Sequence, residues 1–342
     1  MGSERDLCLV IGGGGFIGRH LVEMLLREGR PVRVFDRTPC NDPRVEMFQG
    51  DIRHADDVRR ACADAAVVFQ CAAVVDWHPG CEQILHEVNV IGNRNVIAAC
   101  TARPHTRLVF TSSIDAVFGG RPIRNGDETL PYPTRHLSFY GHTKMVAEQE
   151  TLAAVGRNGL MTCAIRPAGV YGPGDPYRMP TIMAEARRGS LVRLGDGRAR
   201  FNHVYVENVA WAHILAADRL TPGSPVNGQS YFVTDQPARN FFDFVESFVV
   251  AMGLPAAQRT IPYHAAYALA TVLEGWARLT RGRFGKPLLT RSVVASTCVD
   301  CWFTSAKAAR DLGYAPQVSE TDAFERTLAW LKEQRQVSES LL

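Results

Sequence analysis

Residues 7–18 read LCLVIGGGGFIG, an apolar run followed by glycines and the start of a helical pattern. A short run that is apolar throughout predicts a strand buried on both faces of a parallel sheet. Gly12, Gly15 and Gly18 stand between this strand and a helix predicted over residues 16–27. Glycines there let the backbone turn tightly and approach a pyrophosphate, and the helix N-terminus offers unpaired N–H groups to it. The stretch therefore predicts a dinucleotide site.

Strands and helices keep alternating beyond this stretch. Further apolar runs predict strands at residues 31–35, 45–49, 66–70, 108–111 and 161–166. Repeated β-α-β units predict an α/β fold, a doubly wound parallel Rossmann sheet covered by helices on both faces. The C-terminal part is mostly helical in pattern, and we expect it to form a smaller substrate-binding region.

Glycine and proline residues after residue 172 suggest where the chain divides. We assign residues 1–172 and 201–236 to the dinucleotide-binding domain. We assign residues 173–200 and 237–342 to the substrate-binding domain.

Composition narrows the class of protein. The formal charge of +3 over 342 residues gives no electrostatic footprint for nucleic acid. Nine cysteines without dense spacing are typical of free thiols in a reducing compartment, which favours a cytoplasmic location. Cys298 and Cys301 form a lone CxxC without further ligands at zinc spacing, so we expect no metal site.

The longest apolar candidate for a membrane segment covers residues 265–279. It is shorter than the roughly 20 residues that a spanning helix needs, and it contains Glu274 and Arg278. One face of the predicted helix is apolar and consists of Leu269, Val272, Leu273, Trp276 and Leu279. We expect this face to be buried against the rest of the protein. Peripheral contact with a membrane, or a cover over a substrate pocket, is the alternative.

Asp36 ends the second predicted strand, about 20 residues after the glycines. A carboxylate there accepts hydrogen bonds from the adenosine ribose and repels a 2′-phosphate, which favours NAD over NADP. The alternative is a solvated turn aspartate. Arg37 follows directly and can lie over the adenine or tolerate a 2′-phosphate. Asp51 and Ile52, after the third strand, are placed to meet the adenine.

Tyr140 and Lys144 stand four residues apart on a segment that continues as a helix, which puts both side chains on one face. Tyrosine is a poor base at its ordinary pKa of about 10. A cation nearby, together with a positively charged nicotinamide, stabilises the phenolate and makes it useful. The strand upstream ends in the hydroxyls of Thr111, Ser112 and Ser113, a natural place to bind a reacting oxygen.

Taken in order, these residues resemble the extended short-chain dehydrogenase/reductases, and the resemblance covers essentially the whole chain. Several longer stretches resemble the 3β-hydroxysteroid dehydrogenase/Δ5-isomerase family. They are TSSID at 111–115, TCAIRP at 162–167, VYG at 170–172, VYVENVAWAHILA at 204–216 and FTSAKAARDLGY at 303–314.

The resemblance implies NAD-dependent oxidation of a secondary alcohol on a hydrophobic, sterol-like substrate, a 3β-hydroxysteroid becoming a 3-ketosteroid. It implies that Tyr140 is the catalytic acid/base, that Lys144 holds the nicotinamide ribose and lowers the Tyr140 pKa, and that Ser113 orients the substrate oxygen. Asp115 occupies the place of an acidic residue in that family and implies a proton carrier for Δ5–Δ4 isomerisation. A solvated or capping role for Asp115 is an equal alternative.

The resemblance also implies further cofactor contacts and a homodimer. The contacts are Phe16, Ile17, Ala72, Ala73, Asn89, Pro167 and Val170. The dimer would use helices near residues 89–99 and 140–154. The sequence departs from the family pattern at Ile11, where a threonine is usual, and at Gln70, where a histidine is usual. Neither departure removes a reacting group.

Three alternatives stay open. A nucleotide-sugar epimerase or dehydratase uses the same Tyr and Lys, although the stretch at 204–216 and the apolar C-terminal third favour a greasier substrate. A 4-carboxysterol 3-dehydrogenase or a long-chain 3-oxoacid reductase keeps the chemistry and changes the substrate. An NAD-sensing regulator performs no chemistry, but such proteins commonly lack the Tyr/Lys pair.

Overall fold

The structure is a computed structural model that describes residues 6–235, 237–280 and 287–340. Its strands are β1 (Cys8–Ile11), β2 (Val32–Asp36), β3 (Glu46–Gln49), β4 (Val67–Gln70), β5 (Arg107–Thr111), β6 (Ile123–Gly126), β7 (Met161–Pro167), β8 (Gly169–Tyr171), β9 (Val192–Leu194), β10 (His203–Tyr205), β11 (Gln229–Val233), β12 (Arg259–Ile261) and β13 (Cys301–Phe303).

The helices alternate with these strands and dominate the C-terminal part. They are α1 (Phe16–Arg27), α2 (Ala55–Cys62), α3 (Glu82–Leu85), α4 (Gly92–Ala102), α5 (Phe139–Leu152), α6 (Met179–Arg187), α7 (Val206–Arg219), α8 (Phe241–Ala251), α9 (Tyr263–Leu279), α10 (Arg291–Cys298), α11 (Ala306–Leu312) and α12 (Glu320–Ser340). A π-helical segment, His86–Ile91, joins α3 to α4, and a 3-10 turn, Ile114–Ala116, follows β5.

The main sheet has the strand order β11-β7-β5-β4-β1-β2-β3, and all its neighbours are parallel. The order reverses between β1 and β4, as in doubly wound sheets that bind ligands at the carboxyl ends of their strands. The predicted fold class is therefore confirmed. The strand predicted at residues 45–49 begins one residue later than expected.

Both faces of this sheet are covered by helices, and successive side chains on a strand point to opposite faces. Each strand therefore contributes to two apolar clusters. Val10 belongs to the same apolar cluster as Leu21 of α1 and Val209 of α7. Leu9, its neighbour on β1, belongs to a second cluster with Val96 of α4. The apolar runs of the sequence are thus explained by helices on both sides.

An ion pair inside the protein holds α5 to β7. Arg166 Nε donates to Glu148 Oε2 at 3.0 Å, and Nη2 donates to Oε1 at 2.5 Å. The Tyr132 hydroxyl donates to the same carboxylate at 2.5 Å. Glu148 and Arg166 are both buried, and a buried charge is tolerated only when it is paired and hydrogen-bonded. The pair therefore fixes where α5 lies against the sheet.

Three short parallel pairs and several helices make up most of the remainder. Strand β8 pairs with β10, β9 with β12, and β6 with β13. The prediction of a mostly helical C-terminal part is confirmed. Lys307 of α11 reaches back to the main sheet and donates to Gln229 Oε1 at 2.7 Å and to the Ser230 carbonyl at 3.1 Å. The division into two domains stays a prediction.

The expectation that the apolar face of α9 is buried is wrong for most of its members. The exposed fractions are 46% for Leu269, 68% for Val272, 55% for Trp276 and 78% for Leu279. The opposite face is the buried one, and it consists of Ala266, Ala270, Glu274 and Ala277. Small side chains let α9 approach α10 closely, and Arg291 pairs with the Glu274 carboxylate at 2.8 Å, which permits its burial.

Two findings limit other kinds of site. No helix within the described ranges combines the length and apolar character needed to cross a membrane. Over those same ranges, His, Cys, Asp and Glu side chains form no group of three or more suited to a metal ion. All nine cysteines are free thiols, as predicted.

Candidate active site

The turn after β1 leaves room for a ligand at the N-terminus of α1. Gly12 has φ +81°, and a Cβ on it would lie 2.7 Å from the Ala72 backbone nitrogen. A Cβ on Gly18 would overlap with the Gly12 carbonyl oxygen. Gly15 is the N-cap of α1, and it has no side chain that could accept a hydrogen bond from the first N–H groups of the helix. The first N–H groups of α1 are thus available to a pyrophosphate, which is the chemistry that a dinucleotide requires.

Asp36 lies beside this turn at the end of β2. Its Oδ2 accepts a hydrogen bond from the Gly14 backbone N–H, and its Oδ1 accepts one from the Thr38 backbone N–H, both at 3.0 Å. The carboxylate is therefore held next to the glycine turn before any ligand arrives. Arg37 is exposed and points its backbone carbonyl to Gln49.

Asp51 and Ile52 follow β3 at the same edge of the sheet. The Asp51 carboxylate pairs with Arg53 at 2.7 Å, and this guanidinium lowers the Asp51 pKa to about 2. Asp51 is therefore ionised at neutral pH. Ile52 is buried, and its side chain leaves no room for a Cβ on Gly92.

The loop after β4 contains Ala72 and Ala73 and is held by two buried amides. Gln70 Oε1 accepts from the Ala72 N–H at 2.7 Å. Asn89 Oδ1 accepts from the Val74 N–H at 2.8 Å, and its Nδ2 donates to the Thr143 hydroxyl at 3.0 Å. The amide atoms of Asn89 are engaged within the protein, where they shape the loop.

Four other residues that the sequence placed at the cofactor lie around the same edge. Phe16 and Ile17 begin α1 and are half-buried. Pro167 ends β7, which is separated from β4 by β5 in the main sheet. Val170, in β8, is half-buried.

Tyr140 lies near the start of α5 and is 6% exposed. Helix α5 begins there because the Ser138 hydroxyl caps it, accepting from the Gly141 N–H at 3.2 Å. The Ser113 hydroxyl lies within hydrogen-bonding reach of Tyr140 and favours its ionised form. Burial has the larger effect and, with the nearby Asp115 charge, raises the pKa of Tyr140 well above its ordinary value.

Lys144 lies one helical turn beyond Tyr140 and is 3% exposed. Its Nζ donates to the Thr111 carbonyl at 2.5 Å and lies 4.5 Å from the centroid of the Phe110 ring. Burial lowers the Lys144 pKa to about 8. The ammonium group is thus held at the carboxyl end of β5, on the side of α5 that carries Tyr140.

Asp115 lies in the 3-10 turn after β5 and meets Ser113 twice. Its backbone N–H donates to the Ser113 hydroxyl at 3.0 Å, and that hydroxyl lies 3.2 Å from Asp115 Oδ2. Burial raises the Asp115 pKa, while a hydrogen bond from Trp77 opposes this change. The carboxyl group of Asp115 therefore has a raised pKa and lies next to the Ser113 hydroxyl.

Sequence reasoning missed Trp77, in the loop after β4. Its ring packs edge-on against Tyr140, with 5.8 Å between the ring centroids, and its indole N–H bonds to Asp115. The loop that holds it, residues 71–81, is mostly apolar, so the tryptophan gave no separate signal in the sequence. Trp77 fixes one wall around the Tyr140 hydroxyl.

His213 of α7 was also missed, although it lies within the stretch at 204–216. Its Nδ1 donates to the Val209 carbonyl at 2.8 Å, so its Nε2 accepts from the Thr111 hydroxyl at 2.8 Å. Burial lowers the His213 pKa to about 4, which keeps the ring neutral. His213 thereby positions the residue whose carbonyl holds Lys144.

Arg178 is a third residue without a sequence signal, because an arginine in a Gly/Pro-rich segment looks solvated. Its Cζ lies 5.6 Å and 5.3 Å from the ring centroids of Phe201 and Phe241. Among the described residues, no acceptor meets its buried Nη1. Burial lowers the Arg178 pKa, and the carboxylates of Asp175 and Asp115 oppose this change. An arginine N–H with no partner is available to an acidic group.

These side chains support proton and hydride transfer at one edge of the sheet. The glycine turn and Asp36 fit the pyrophosphate and adenosine ribose of a dinucleotide. Ser113 and Tyr140 can share the oxygen of an alcohol, and Lys144 supplies a positive charge on the same helical face. Proton transfer by such positioned groups is general acid–base catalysis.

Comparison with known proteins agrees with this geometry. A model of the 3-beta hydroxysteroid dehydrogenase/isomerase family matches residues 9–263. A 3 beta-hydroxysteroid dehydrogenase/Delta 5→4-isomerase from Mycobacterium tuberculosis is 38% identical over 339 residues, covering 96% of this chain and 91% of that protein. A decarboxylating sterol-4-alpha-carboxylate 3-dehydrogenase from Mus musculus is 34% identical over 330 residues, covering 95% and 91%.

Solved structures share the fold at lower sequence identity. The UDP-glucose 4-epimerase of Thermus thermophilus, solved with NAD, has a TM-score of 0.74 at 24% identity, over 95% of this chain and 99% of its own. An epimerase from Methanothermobacter thermautotrophicus has a TM-score of 0.79 at 21% identity, over 98% and 95%. These identities support the fold alone, whereas the family match and the relatives decide the class. The chain belongs to the 3-beta hydroxysteroid dehydrogenase/isomerase family and is an NAD(P)-dependent oxidoreductase that acts on a CH–OH group.

Proposed function

We propose that this protein oxidises the 3β-hydroxyl of a sterol-like substrate to a ketone with NAD. The observation that carries the proposal is the grouping of Tyr140, Ser113 and Lys144 beside the glycine turn. The names of two relatives, a 3β-hydroxysteroid dehydrogenase and a sterol-carboxylate 3-dehydrogenase, support a sterol substrate. The carboxylate of Asp36, held by backbone N–H groups, supports NAD over NADP.

The proposed mechanism gives each side chain one task. A bound oxidised cofactor would supply the hydride acceptor and a positive charge. Ser113 would donate a hydrogen bond to the substrate oxygen. Tyr140 would remove the hydroxyl proton as the carbon that bears this hydroxyl loses its hydride to the oxidised cofactor. Burial and the nearby Asp115 charge raise the Tyr140 pKa, so the positive charges of Lys144 and of a bound oxidised cofactor would be needed to make the phenolate accessible.

We further propose the setting in which the enzyme works. The free thiols support a cytoplasmic location for the protein. Any contact with a membrane would be peripheral. Family resemblance supports a homodimer through α4 and α5, whose exposed sides are linked by the pair Arg94–Glu150 at 2.6 Å. The domains proposed remain residues 1–172 with 201–236 and residues 173–200 with 237–342.

Loss of the Tyr140 hydroxyl should abolish turnover. Tyr140→Phe should lower kcat at least 100-fold, since positioned acid–base groups contribute about 10²–10⁴-fold. NAD binding by Tyr140→Phe, followed by fluorescence, should change little. Lys144→Ala should lower both kcat and the affinity for NAD. The assay is NADH formation with 3β-hydroxysteroids, carboxysterols, hydroxyacids and nucleotide sugars, with products identified. Tyr267→Phe on α9 is the matched control. Retention of more than roughly a tenth of the activity would require another base.

Cofactor preference should depend on Asp36. Asp36→Ala should lower the ratio of kcat/KM with NAD to kcat/KM with NADP by about tenfold or more, since hydrogen bonds to a charged group contribute roughly 1.5–3 kcal/mol. Asp56→Ala removes an exposed carboxylate of α2 and should leave the ratio unchanged. An unmodified enzyme that uses both cofactors equally well would contradict the proposal.

We propose that Asp115 carries the proton in a second step, Δ5–Δ4 isomerisation. Oxidation of a 3β-hydroxy-5-ene steroid acidifies the C4 protons of the ketone. Asp115 would take a proton from C4 and return it to C6, so that the double bond moves from C5–C6 to C4–C5. The burial of Asp115 beside Ser113 supports this task, because its raised pKa suits a group that both accepts and returns a proton.

Asp115→Asn should slow isomerisation more than NADH formation, because asparagine keeps an oxygen for Ser113 but loses the base. Both products can be followed by ultraviolet absorbance in one experiment, starting from the alcohol. In a second experiment, the 5-en-3-one is supplied with NADH. Absence of conjugated enone above the uncatalysed background would leave a plain dehydrogenase. Equal losses in both steps would return Asp115 to a structural role.

A second candidate substrate is a 3β-hydroxysterol with a carboxylate at C4, and Arg178 favours it. A guanidinium with a buried, unpartnered N–H is costly unless an acceptor completes it. The charges of Arg178 and Asp115 influence each other, which supports a position of Arg178 near the proposed substrate region. A substrate carboxylate close to the reacting hydroxyl would supply the missing acceptor.

Arg178→Gln should therefore discriminate between the two substrates. We expect kcat/KM for a 4α-carboxy-3β-hydroxysterol to fall about 10–100-fold, as for the loss of a hydrogen bond to a charged group. The kcat/KM for a neutral 3β-hydroxysteroid should change by less than about threefold. Arg178→Lys should restore part of the loss. Thermal melting controls for folding. Equal losses with both substrates would remove the support for the carboxysterol.

A further inference from the structure

A buried histidine of β10, His203, has no hydrogen-bond partner within the part of the chain that the structure describes. Its side chain is 1% exposed, and both ring nitrogens are enclosed. The Nη1 atom of Arg178 is enclosed in the same way, and none of the described residues supplies an acceptor for it. A polar group buried without a hydrogen bond is unfavourable, so groups of this kind in a folded protein need an explanation.

Arg178 and His203 lie beside each other between the same aromatic rings. Arg178 Cζ is 5.6 Å from the ring centroid of Phe201 and 5.3 Å from that of Phe241. The His203 centroid is 5.1 Å and 5.9 Å from the same two points. Gly169 pairs with His203 across β8 and β10, and a Cβ on Gly169 would lie 2.6 Å from Arg178 Nη1. The absence of a side chain at Gly169 therefore lets the guanidinium lie against β8, next to His203.

The packing fixes the His203 ring by its face and leaves its edge for hydrogen bonds. The Phe244 ring is stacked on it, with 3.6 Å between the centroids and 19° between the planes. Hydrogen bonds of an imidazole lie in the plane of the ring, where the stacked phenyl group does not compete. Burial, with the charges of Arg178 and Arg239, lowers the pKa of His203 well below its ordinary value. The ring is therefore neutral and carries one N–H donor.

Among the described side chains, none brings a carboxylate into contact with Arg178. The Asp175 and Asp115 carboxylates act on it only at a distance. Asp175 instead accepts from the backbone N–H groups of Tyr177 and Met179, at 2.8 Å and 3.0 Å. A buried guanidinium is stabilised when a carboxylate both accepts its hydrogen bond and neutralises its charge. An uncharged acceptor such as water would meet only the first need.

We infer that Arg178 and His203 form a binding site for a carboxylate group of the substrate, with one donor for each carboxylate oxygen. Arg178 is only half-buried as a whole residue, so the group enters from its side. The inference rests on the proposed oxidation and deepens it, because a sterol with a C4 carboxylate carries such a group close to the reacting hydroxyl. His203 thereby becomes a residue that selects this class of substrate, in addition to Arg178.

Binding in the presence of NADH tests the inference without turnover. The ligands are a 4α-carboxy-3β-hydroxysterol and its neutral 4α-methyl analogue, titrated by calorimetry in cyclodextrin solution. His203→Phe should weaken binding of the carboxysterol about tenfold or more, since the phenyl ring keeps the stacking on Phe244 but removes the donor. Binding of the methyl analogue should change by less than about threefold. His264→Phe, at an exposed histidine of α9, is the matched control.

Two further measurements separate a binding role from a structural one. The melting temperature of ligand-free His203→Phe should not fall, because no hydrogen bond within the protein is lost. In the double variant with Arg178→Gln, the loss of carboxysterol affinity should be smaller than the product of the two single losses, since both groups hold one ligand.

The inference fails if His203→Phe binds the carboxysterol like the unmodified chain, if both ligands lose affinity equally, or if the two single losses multiply in the double variant. A lower melting temperature of ligand-free His203→Phe would assign the ring nitrogens to an internal water instead. A failure of the proposed oxidation is distinguishable, because it shows as no NADH formation from neutral 3β-hydroxysteroids and leaves the binding titration unaffected.

Discussion

The paired burial of Glu148 and Arg166 is the interaction on which the site depends. Tyr140, Lys144 and Glu148 follow one another at four-residue intervals, so the ion pair continues the face of α5 that carries the catalytic candidates. Removing one partner of such a pair typically costs about 3–5 kcal/mol, because a lone charge is left inside the protein. The same contact that stabilises the fold therefore sets the height and rotation of α5 over the carboxyl ends of β5 and β7.

The loop after β4 joins the two halves of the site. At Ala72 it touches the glycine turn, and at Trp77 it contacts both Tyr140 and Asp115. Asn89 ties the middle of this loop to Thr143 on α5. The dinucleotide turn and the wall around the Tyr140 hydroxyl are thus connected by a continuous set of packed groups.

Local patterns predicted the sheet and the glycine turn because they report on backbone conformation and on which faces are buried. Contacts between distant segments left no local mark, so Trp77, His213 and Arg178 were missed. The resemblance places Asn89 at the cofactor, and this contact stays a prediction; the Asn89 amide is hydrogen-bonded to the loop and to Thr143. The apolar side of helix α9 was expected to be buried because helical periodicity identifies an apolar stripe without saying what covers it. Alanines form the buried stripe because they allow the closest approach to α10.

Burial of the positively charged Lys144 side chain lowers the stability of the fold. Its pKa falls from an ordinary 10.5 to about 8 on folding, so the folded chain binds the proton less tightly than the unfolded chain does. The resulting destabilisation is present in full below pH 8 and is relieved as the pH rises toward 10.5. An uncharged side chain of similar length would fit the same space without this penalty. The positive charge is thus kept at a cost in stability, and selection for thermal stability alone would favour an uncharged residue in place of Lys144.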